Sequence, residues 1–325
     1  MRFSRFGVFV LLAVTVFLGT SCGYYNQIMA RKDLVDGSNA YKGRKFKEAE
    51  QLFRDAVARD PKGESIEGKT AQLFLARTLH SEYIGNRKVT AKAEEAISEY
   101  QKALALNAND QSSYKAIASL YENLQQSDKW LAWVTARSAN SGIPPEQRAE
   151  ALTSLAAKKN SCANDITDTE QTKKTITKDG KQAFQFVKPA KPEDYESLKK
   201  CIEEGRALST QAVSLETPEV KSAKSLDLKS LTDPQLKEKQ DLFKVFESAR
   251  SYKASLMFQD TRLAEMDART PDRDRLKTES EAARANFLEL SDVVKKIQAE
   301  IDERKAKKEA EAPGGKPVNA AANKK

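Results

Sequence analysis

The chain has 325 residues, enough for two ordinary domains or one extended repeat array. Hydrophobic residues make up 39% of it and charged residues 31%, with a mean hydropathy of -0.65, which argues against a compact enzyme core and is usual for solvated helices. The net charge is +8, but basic and acidic residues alternate and no basic patch is interleaved with aromatic residues, which argues against a nucleic-acid-binding protein.

The N-terminus has the pattern of a secretion signal. Two arginines precede an uncharged apolar run at residues 7–19, which is shorter than a membrane-spanning helix requires. The following "LGTSC" places small residues directly before Cys22 and resembles a bacterial lipobox; the alternative is an ordinary secretory signal with an incidental cysteine. The resemblance implies a lipoprotein signal peptide at 1–21, acylation of Cys22 and a linker at 22–29. Gly23, where inner-membrane lipoproteins of enterobacteria carry Asp, favours the periplasmic face of the outer membrane.

Three segments repeat one pattern of small and aromatic residues at offsets of 0, 4, 7 and 12. The three sets are Ala49, Phe53, Ala56 and Pro61; Ala96, Tyr100, Ala103 and Ala108; and Ala132, Ala136, Ala139 and Pro144. Small residues let two helices approach closely, the aromatic ring fills the gap between them, and proline ends the helix. The spacing predicts helical hairpins.

These hairpins resemble the tetratricopeptide repeat (TPR) family, whose unit is a helix-turn-helix. Gly37 stands twelve residues before Ala49, as that family requires, and "YKAIASLY" has the order of its first helices. The resemblance covers residues 30–146 and implies an all-α superhelix. The second unit is eight residues longer than expected, and we assign the excess to a longer turn at residues 84–90.

The stretch "GESIEGKT" at residues 63–70 matches a phosphate-binding loop letter for letter. A phosphate-binding loop follows a buried strand, whereas this stretch follows an amphipathic helix and a proline. Glu64 and Glu67 would also repel a triphosphate. We interpret the stretch as a turn between repeats and expect no nucleotide to bind.

After the repeats the pattern weakens. Residues 147–216 are predicted to form a degenerate helical hairpin with a β-hairpin inserted at about 173–188, around Asp179-Gly180. A linker at 217–232 precedes a long antiparallel helical hairpin at 233–309, whose helices begin at Asp233-Pro234 and Thr270-Pro271. Its last helix carries a seam, which closes the array or mediates dimerisation: Ala283, Phe287, Leu290, Val294, Ile297 and Ile301. Residues 310–325 are predicted to be a disordered basic tail.

Few residues offer chemistry. The one histidine, His80, lacks partners at the spacing of a metal site or a catalytic triad, so we expect no metal, no cofactor and no enzyme activity. Cys162 and Cys201 flank the inserted hairpin, and either a disulfide or two buried free thiols fits their positions.

The TPR resemblance implies binding of a protein partner along the concave face of the first helices. That face is predicted to present Ser38, Lys42, Arg77, His80, Lys115, Ser119 and Asn123. Because the set is basic, we expect an acidic partner segment. The function expected is that of a lipid-anchored envelope scaffold. The alternatives are an assembly factor for outer-membrane barrels or pilus secretins and, more remotely, a cell-wall-acting enzyme. The sequence does not indicate the oligomeric state.

Overall fold

The computed structural model describes residues 5–178 and 180–311, and the side chains of residues 5–22 and 178 are outside that description. The described residues are helical apart from one two-stranded antiparallel sheet and the turns. This confirms the all-α fold of TPR-like helical hairpins with a small β-hairpin and a long C-terminal hairpin. The chain divides into two compact units, Met1–Trp130 and Leu131–Lys325.

The first unit consists of consecutive helices that each pack on the next. They are α1 (Arg5–Lys42), α2 (Phe46–Arg59), α3 (Ile66–Gly85), α4 (Thr90–Leu106) and α5 (Gln111–Asn123). Helices α1 and α2 form one hairpin and α3 and α4 a second, while α2 packs on α3 and α4 on α5.

The small and aromatic residues of the repeat hold the first hairpin together. Ala49, Phe53 and Ala56 of α2 have no exposed surface. A Cβ atom at Gly37 of α1 would lie 2.8 Å from Cε1 of Phe53, so only glycine lets the ring come this close to α1. The second hairpin buries Ala96, Tyr100 and Ala103 in the same way. The predicted spacing therefore describes both hairpins.

The excess length of the second repeat, formed by α3 and α4, lies in its helices and not in its turn, contrary to the sequence interpretation. Helix α3 has 20 residues where α5 has 13, and α4 begins at Thr90, only five residues after α3 ends at Gly85. Tyr83 is buried near the end of α3. Because no proline interrupts residues 81–85 and Tyr83 packs in the core, the helix continues.

The third occurrence of the pattern was placed in the wrong register. Helix α6 (Ser127–Ala139) exposes Ala132, Ala136 and Ala139. Its buried residues are Trp130, Val134 and Arg137, which have the same 0, 4, 7 spacing two positions earlier. Burying indole and isopropyl groups removes more apolar surface from water than burying methyl groups, so the larger residues determine which face is buried.

The second unit contains the remaining elements. They are α7 (Pro145–Thr167), β1 (Lys173–Lys178), β2 (Lys181–Phe186), α8 (Pro192–Ser214), α9 (Pro218–Lys221), α10 (Asp233–Met266) and α11 (Thr270–Glu311). Helix α7 packs on α8, and α10 packs on α7, α8 and α11. Strands β1 and β2 pair antiparallel between α7 and α8.

A disulfide joins α7 to α8 through Cys162 and Cys201, whose Cα atoms are 6.2 Å apart. Beside it, a Cβ atom at Gly205 of α8 would lie 2.6 Å from Cδ2 of Leu256 on α10. The bond ties α7 to α8, and the close approach at Gly205 places α8 directly against α10.

The seam of α11 lies toward the core that it shares with α10. Leu290, Val294 and Ile297 are buried with Phe243 and Phe246 of α10, and the other three seam residues are half-buried. The seam is therefore covered by α10 of the same chain.

The segment predicted as a linker at 217–232 contains structure of its own. It contains α9 and two 3-10 turns, and Val220 and Ala223 are buried against the core of α10 and α11. The N-cap of α10 is Thr232, one residue before the predicted Asp233. Its backbone N–H donates to Oε1 of Gln235 at 2.9 Å, which completes the cap.

The predicted terminal segments are described only in part. Residues 22–29, expected as a linker, are helical within α1, and the side chain of Cys22 lies outside what the structure describes. Helix α11 ends at Glu311, so most of the predicted tail lies outside them as well. Among the residues described, no helix has both the length and the apolar composition to cross a membrane.

Candidate protein-binding groove

The first helices of the repeat are linked to one another by a row of aromatic and polar side chains. Tyr41 of α1 lies 3.0 Å from Oγ of Ser81 on α3, and its ring contacts Phe74 edge-on at 6.1 Å. The guanidinium of Arg77 lies over Phe74 at 5.3 Å and donates to Oγ of Ser112 on α5 at 3.2 Å. We call these five residues the groove face, because they run across α1, α3 and α5.

Of the predicted groove residues on α1 and α3, Arg77 takes part in this row. Lys42 is exposed, next to Tyr41 at the end of α1. Ser38 is half-buried and donates its hydroxyl to the carbonyl of Leu34 at 2.7 Å, so its hydroxyl is committed to its own helix.

On α5 the predicted residues form a second group near the turn after α3. Lys115 and Ser119 are exposed. Asn123 accepts a hydrogen bond from Nη1 of Arg87 at 3.1 Å, and its amide lies 3.5 Å from Oγ of Ser119. Arg87 thereby joins the residues that could meet a partner.

His80 faces the second helix of its own hairpin. Its Nδ1 lies 3.3 Å from the hydroxyl of Tyr100 on α4, and the rings meet edge-on at 6.0 Å. Burial, followed by the nearby charge of Arg87, lowers the pKa of His80 below its ordinary value of 6.5. The imidazole is therefore neutral at neutral pH. Across residues 5–178 and 180–311, no three His, Cys, Asp or Glu side chains come together as metal ligands would.

The charges of the first unit are unevenly paired. Lys42, Arg77 and Arg87 have no carboxylate within 4.0 Å among the described residues. Carboxylates of the unit are instead engaged in a cluster between α2, α3 and α4: Glu50, Glu82 and Glu95 with Arg54 and Lys92.

In that cluster, burial raises the pKa of Glu50, but hydrogen bonds from Lys92 and Arg54 outweigh it and the net pKa is lowered. Glu50 is therefore ionised and occupied by its partners at neutral pH. The cations beside the groove face are left to attract an anionic ligand.

The stretch that resembles a phosphate-binding loop begins in the turn between α2 and α3, as expected, but its last five residues, 66–70, form the start of α3. Gly63 has a φ of +60°, and the carboxylate of Asp60 accepts from the backbone N–H groups of Glu64 at 3.0 Å and Ser65 at 2.8 Å. Ser65 in turn caps α3 by accepting from the N–H of Gly68 at 3.0 Å. Backbone donors that would hold a phosphate in such a loop therefore point at side chains of this turn.

Sequence reasoning missed several residues of the groove face. Phe74 lies three residues before Arg77 on the same helix face, so the i, i+3 rule could have found it. Tyr41, Ser81 and Ser112 meet their partners only across helices, at separations of 35 and 40 residues, which no local pattern indicates.

Among known proteins, the chain resembles solved structures but matches no family profile. No known family profile and no curated protein matches the chain. Solved structures that resemble it include pilF of Pseudomonas aeruginosa, with 13% sequence identity and a TM-score of 0.30, over 85% of this chain and 99% of that chain.

Proposed function

We propose that this protein is a lipid-anchored scaffold of the bacterial cell envelope that binds an acidic segment of a protein partner along the groove face. The observation that carries the proposal is the row from Tyr41 through Phe74 and Arg77 to Ser112, which crosses three helices and presents a cation without a carboxylate partner among the described residues. The scaffold acts by binding and carries out no reaction.

The chemistry of the groove face suits an extended acidic ligand. The guanidinium of Arg77 lies 5.3 Å from the centre of the Phe74 ring and donates to Oγ of Ser112, and its other N–H groups suit a carboxylate acceptor. Lys42, exposed at the end of α1, and Arg87, which donates to Asn123 of α5, add further positive charge to these helices. Such a surface steers acidic partners and discriminates against basic ones.

The disulfide supports a location outside the cytosol. Disulfides persist in oxidising compartments such as the bacterial periplasm and are rare in reducing ones. This agrees with the secretion signal predicted at residues 1–21, and the lipobox-like stretch before Cys22 supplies the proposed anchor.

The partner surface can be tested by site-specific photo-crosslinking in intact envelopes. A photoreactive residue placed at Lys115 or Ser119, both exposed on α5, should give the same adduct. The matched control is Ser98, which is exposed on α4. Adducts of equal yield at Ser98, or none at either α5 position, would contradict the groove assignment.

Charge reversal tests the acidic ligand. Arg77→Glu should reduce the adduct at Lys115 strongly, whereas Lys47→Glu on the exposed side of α2 should leave it unchanged. An adduct that survives Arg77→Glu would show that the partner does not depend on this cation. A barrel protein or a secretin in the adduct would make the scaffold an assembly factor.

The anchor is tested by Cys22→Ala in the full-length chain. We expect the variant to leave the detergent phase in phase partitioning, since acyl chains on Cys22 would supply the attachment. Unchanged partitioning would refute lipidation at Cys22 and would leave the groove proposal standing.

A further inference from the structure

The turns of α1 that follow Cys22 expose apolar side chains, and none of the elements that the structure describes covers them. Tyr24 is 70% exposed, Tyr25 59% and Ile28 49%. All residues from 23 to 28 are exposed, and Ala30 is the first fully buried residue of the described α1 side chains. This end of α1 therefore projects beyond the packed hairpin.

Basic residues follow the apolar ones on the next turn. Arg31 and Lys32 are exposed, and Lys32 pairs with Asp36 at 3.1 Å. Arg31 has no carboxylate within 4.0 Å among the side chains that the structure describes. The buried residues Ala30 and Asp33 lie on the opposite side of the helix, where Asp33 pairs with Arg59 of α2.

We infer that Tyr24, Tyr25, Ile28, Arg31 and Lys32, which we call the juxtamembrane patch, lie against the anionic lipid surface of a bilayer. The inference rests on the anchor at Cys22 in the proposed function. Beyond the anchor, it states that side chains of the protein contact the lipid headgroups, so that attachment does not depend on the acyl chains alone.

Distance favours lipid as the occupant. A helix rises 1.5 Å per residue, so Tyr24 lies about 3 Å and Ile28 about 9 Å along the axis from Cys22. Acyl chains on Cys22 would hold that residue at the boundary between headgroups and acyl chains. An acylated Cys22 therefore brings these three side chains within reach of that boundary.

The residue types favour lipid as well. Tyrosine is enriched at membrane interfaces because its ring is apolar and its hydroxyl is polar. Arg31 and Lys32 stand one turn further along, at the level where lipid phosphates would lie, and their stems can extend along the apolar surface. The apolar and aromatic side chains stand nearest Cys22 and the basic ones follow, which is the order in which a bilayer presents its interface and its phosphates.

The test uses the full-length lipidated protein reconstituted in vesicles of phosphatidylethanolamine and phosphatidylglycerol. Since Cys162 and Cys201 are joined and Cys22 is acylated, Ile28→Cys supplies one reactive thiol for an environment-sensitive fluorophore. We expect quenching by nitroxide-labelled lipids to be several-fold stronger at this position than at the control Lys47→Cys on α2, and quenching by iodide to be correspondingly weaker. Arg31→Gln should reduce the difference in vesicles that contain phosphatidylglycerol and leave it unchanged in neutral vesicles.

Three outcomes would overturn the inference. Equal iodide quenching at positions 28 and 47, with the protein still bound to vesicles, would show that the anchor holds but the patch is in water. Shielding from both quenchers would show that a second copy of the chain covers the patch. Release of the protein from the vesicles would contradict the anchor itself and this inference with it.

Discussion

The absence of a side chain at Gly37 determines how closely α1 and α2 approach. A Cβ atom there would lie 2.8, 2.9 and 3.1 Å from three atoms of the Phe53 ring, which is fully buried. Close-packed interiors do not accommodate such a group without moving the ring. This glycine is required by packing, since its φ is not in the left-handed region.

We therefore predict that Gly37→Ala destabilises the first unit. Alanine gains about 1 kcal/mol of helix propensity over glycine. Overpacking costs about 1–3 kcal/mol, so a net loss of about 1 kcal/mol in the free energy of unfolding is expected. Urea unfolding measures it. Gly85→Ala, whose added Cβ would meet nothing within 4 Å, should be neutral or stabilising. Equal stability of Gly37→Ala and the wild type would refute the close contact.

His80 predicts a pH dependence of stability. Its pKa is lowered by burial and then by Arg87, so the unfolded chain binds a proton more readily than the folded one. Burial of the neutral ring contributes to stability at pH values above 6.5, which is the pKa of the histidine in the unfolded chain. This contribution is lost as the pH falls from 6.5 through the lower pKa of the histidine in the folded protein.

Two measurements check this dependence. NMR titration of the one histidine should give a pKa below 6.5 in the folded protein. Urea unfolding at about pH 7.5 and about pH 5.5 should show lower stability at the acid value, and His80→Gln should reduce the slope. A histidine pKa at or above 6.5 would show that the ring is solvated.

At the scale of the element, α2 links the first hairpin to the second, because it packs on both α1 and α3. Ala49 has no exposed surface, whereas Lys47 in the same helix is exposed. One helix therefore supplies both a sensitive position and its control.

Ala49→Leu should lower the melting temperature and loosen the first hairpin. The added carbon atoms have no space between the helices, and overpacking costs about 1–3 kcal/mol. Hydrogen exchange across residues 30–110 should accelerate in this variant and much less in Lys47→Leu. If the two variants exchange alike, Ala49 does not lie at an interhelical contact.

At the scale of the whole molecule, the chain has two compact units with different means of stabilisation. The first relies on repeated small-residue contacts between neighbouring helices, as repeat arrays do. The second adds a covalent bond between α7 and α8 that closes a loop across the β-hairpin. Each unit therefore has its own core and is destabilised by a different change: overpacking of helix contacts in the first and loss of the disulfide in the second.

Reduction of the disulfide should destabilise only the second unit. With a sequence separation of 39 residues, the chain-entropy account gives the bond about 4 kcal/mol. Hydrogen exchange with and without reductant should show faster exchange in α7 and α8 and unchanged exchange in α3. The double variant Cys162→Ala, Cys201→Ala should reproduce the effect without reductant. Equal acceleration in α3 would show that the units do not unfold separately.

The sequence alone predicted the helices and strands that are specified by residues close together in the chain. The alanine and aromatic spacing identified the first two hairpins, the Asp-Gly pair located the hairpin of β1 and β2, and two prolines marked the starts of α10 and α11 to within a residue or two. Helical periodicity, turn chemistry and the missing N–H of proline act within a few residues, so they can be read from neighbouring letters.

Tertiary structure decided what depends on competition between distant segments. Helix α6 buries the face that carries Trp130 and Val134 and not the face of the alanines. The extra residues of the second repeat lengthen α3. In both cases the burial of large side chains outweighs the local pattern. The choice of a disulfide over free thiols depended on bringing two Cα atoms within 6.2 Å, and the contact of Arg77 with Ser112 on bringing α3 beside α5. These approaches are set by how whole helices pack, which no window of the sequence contains.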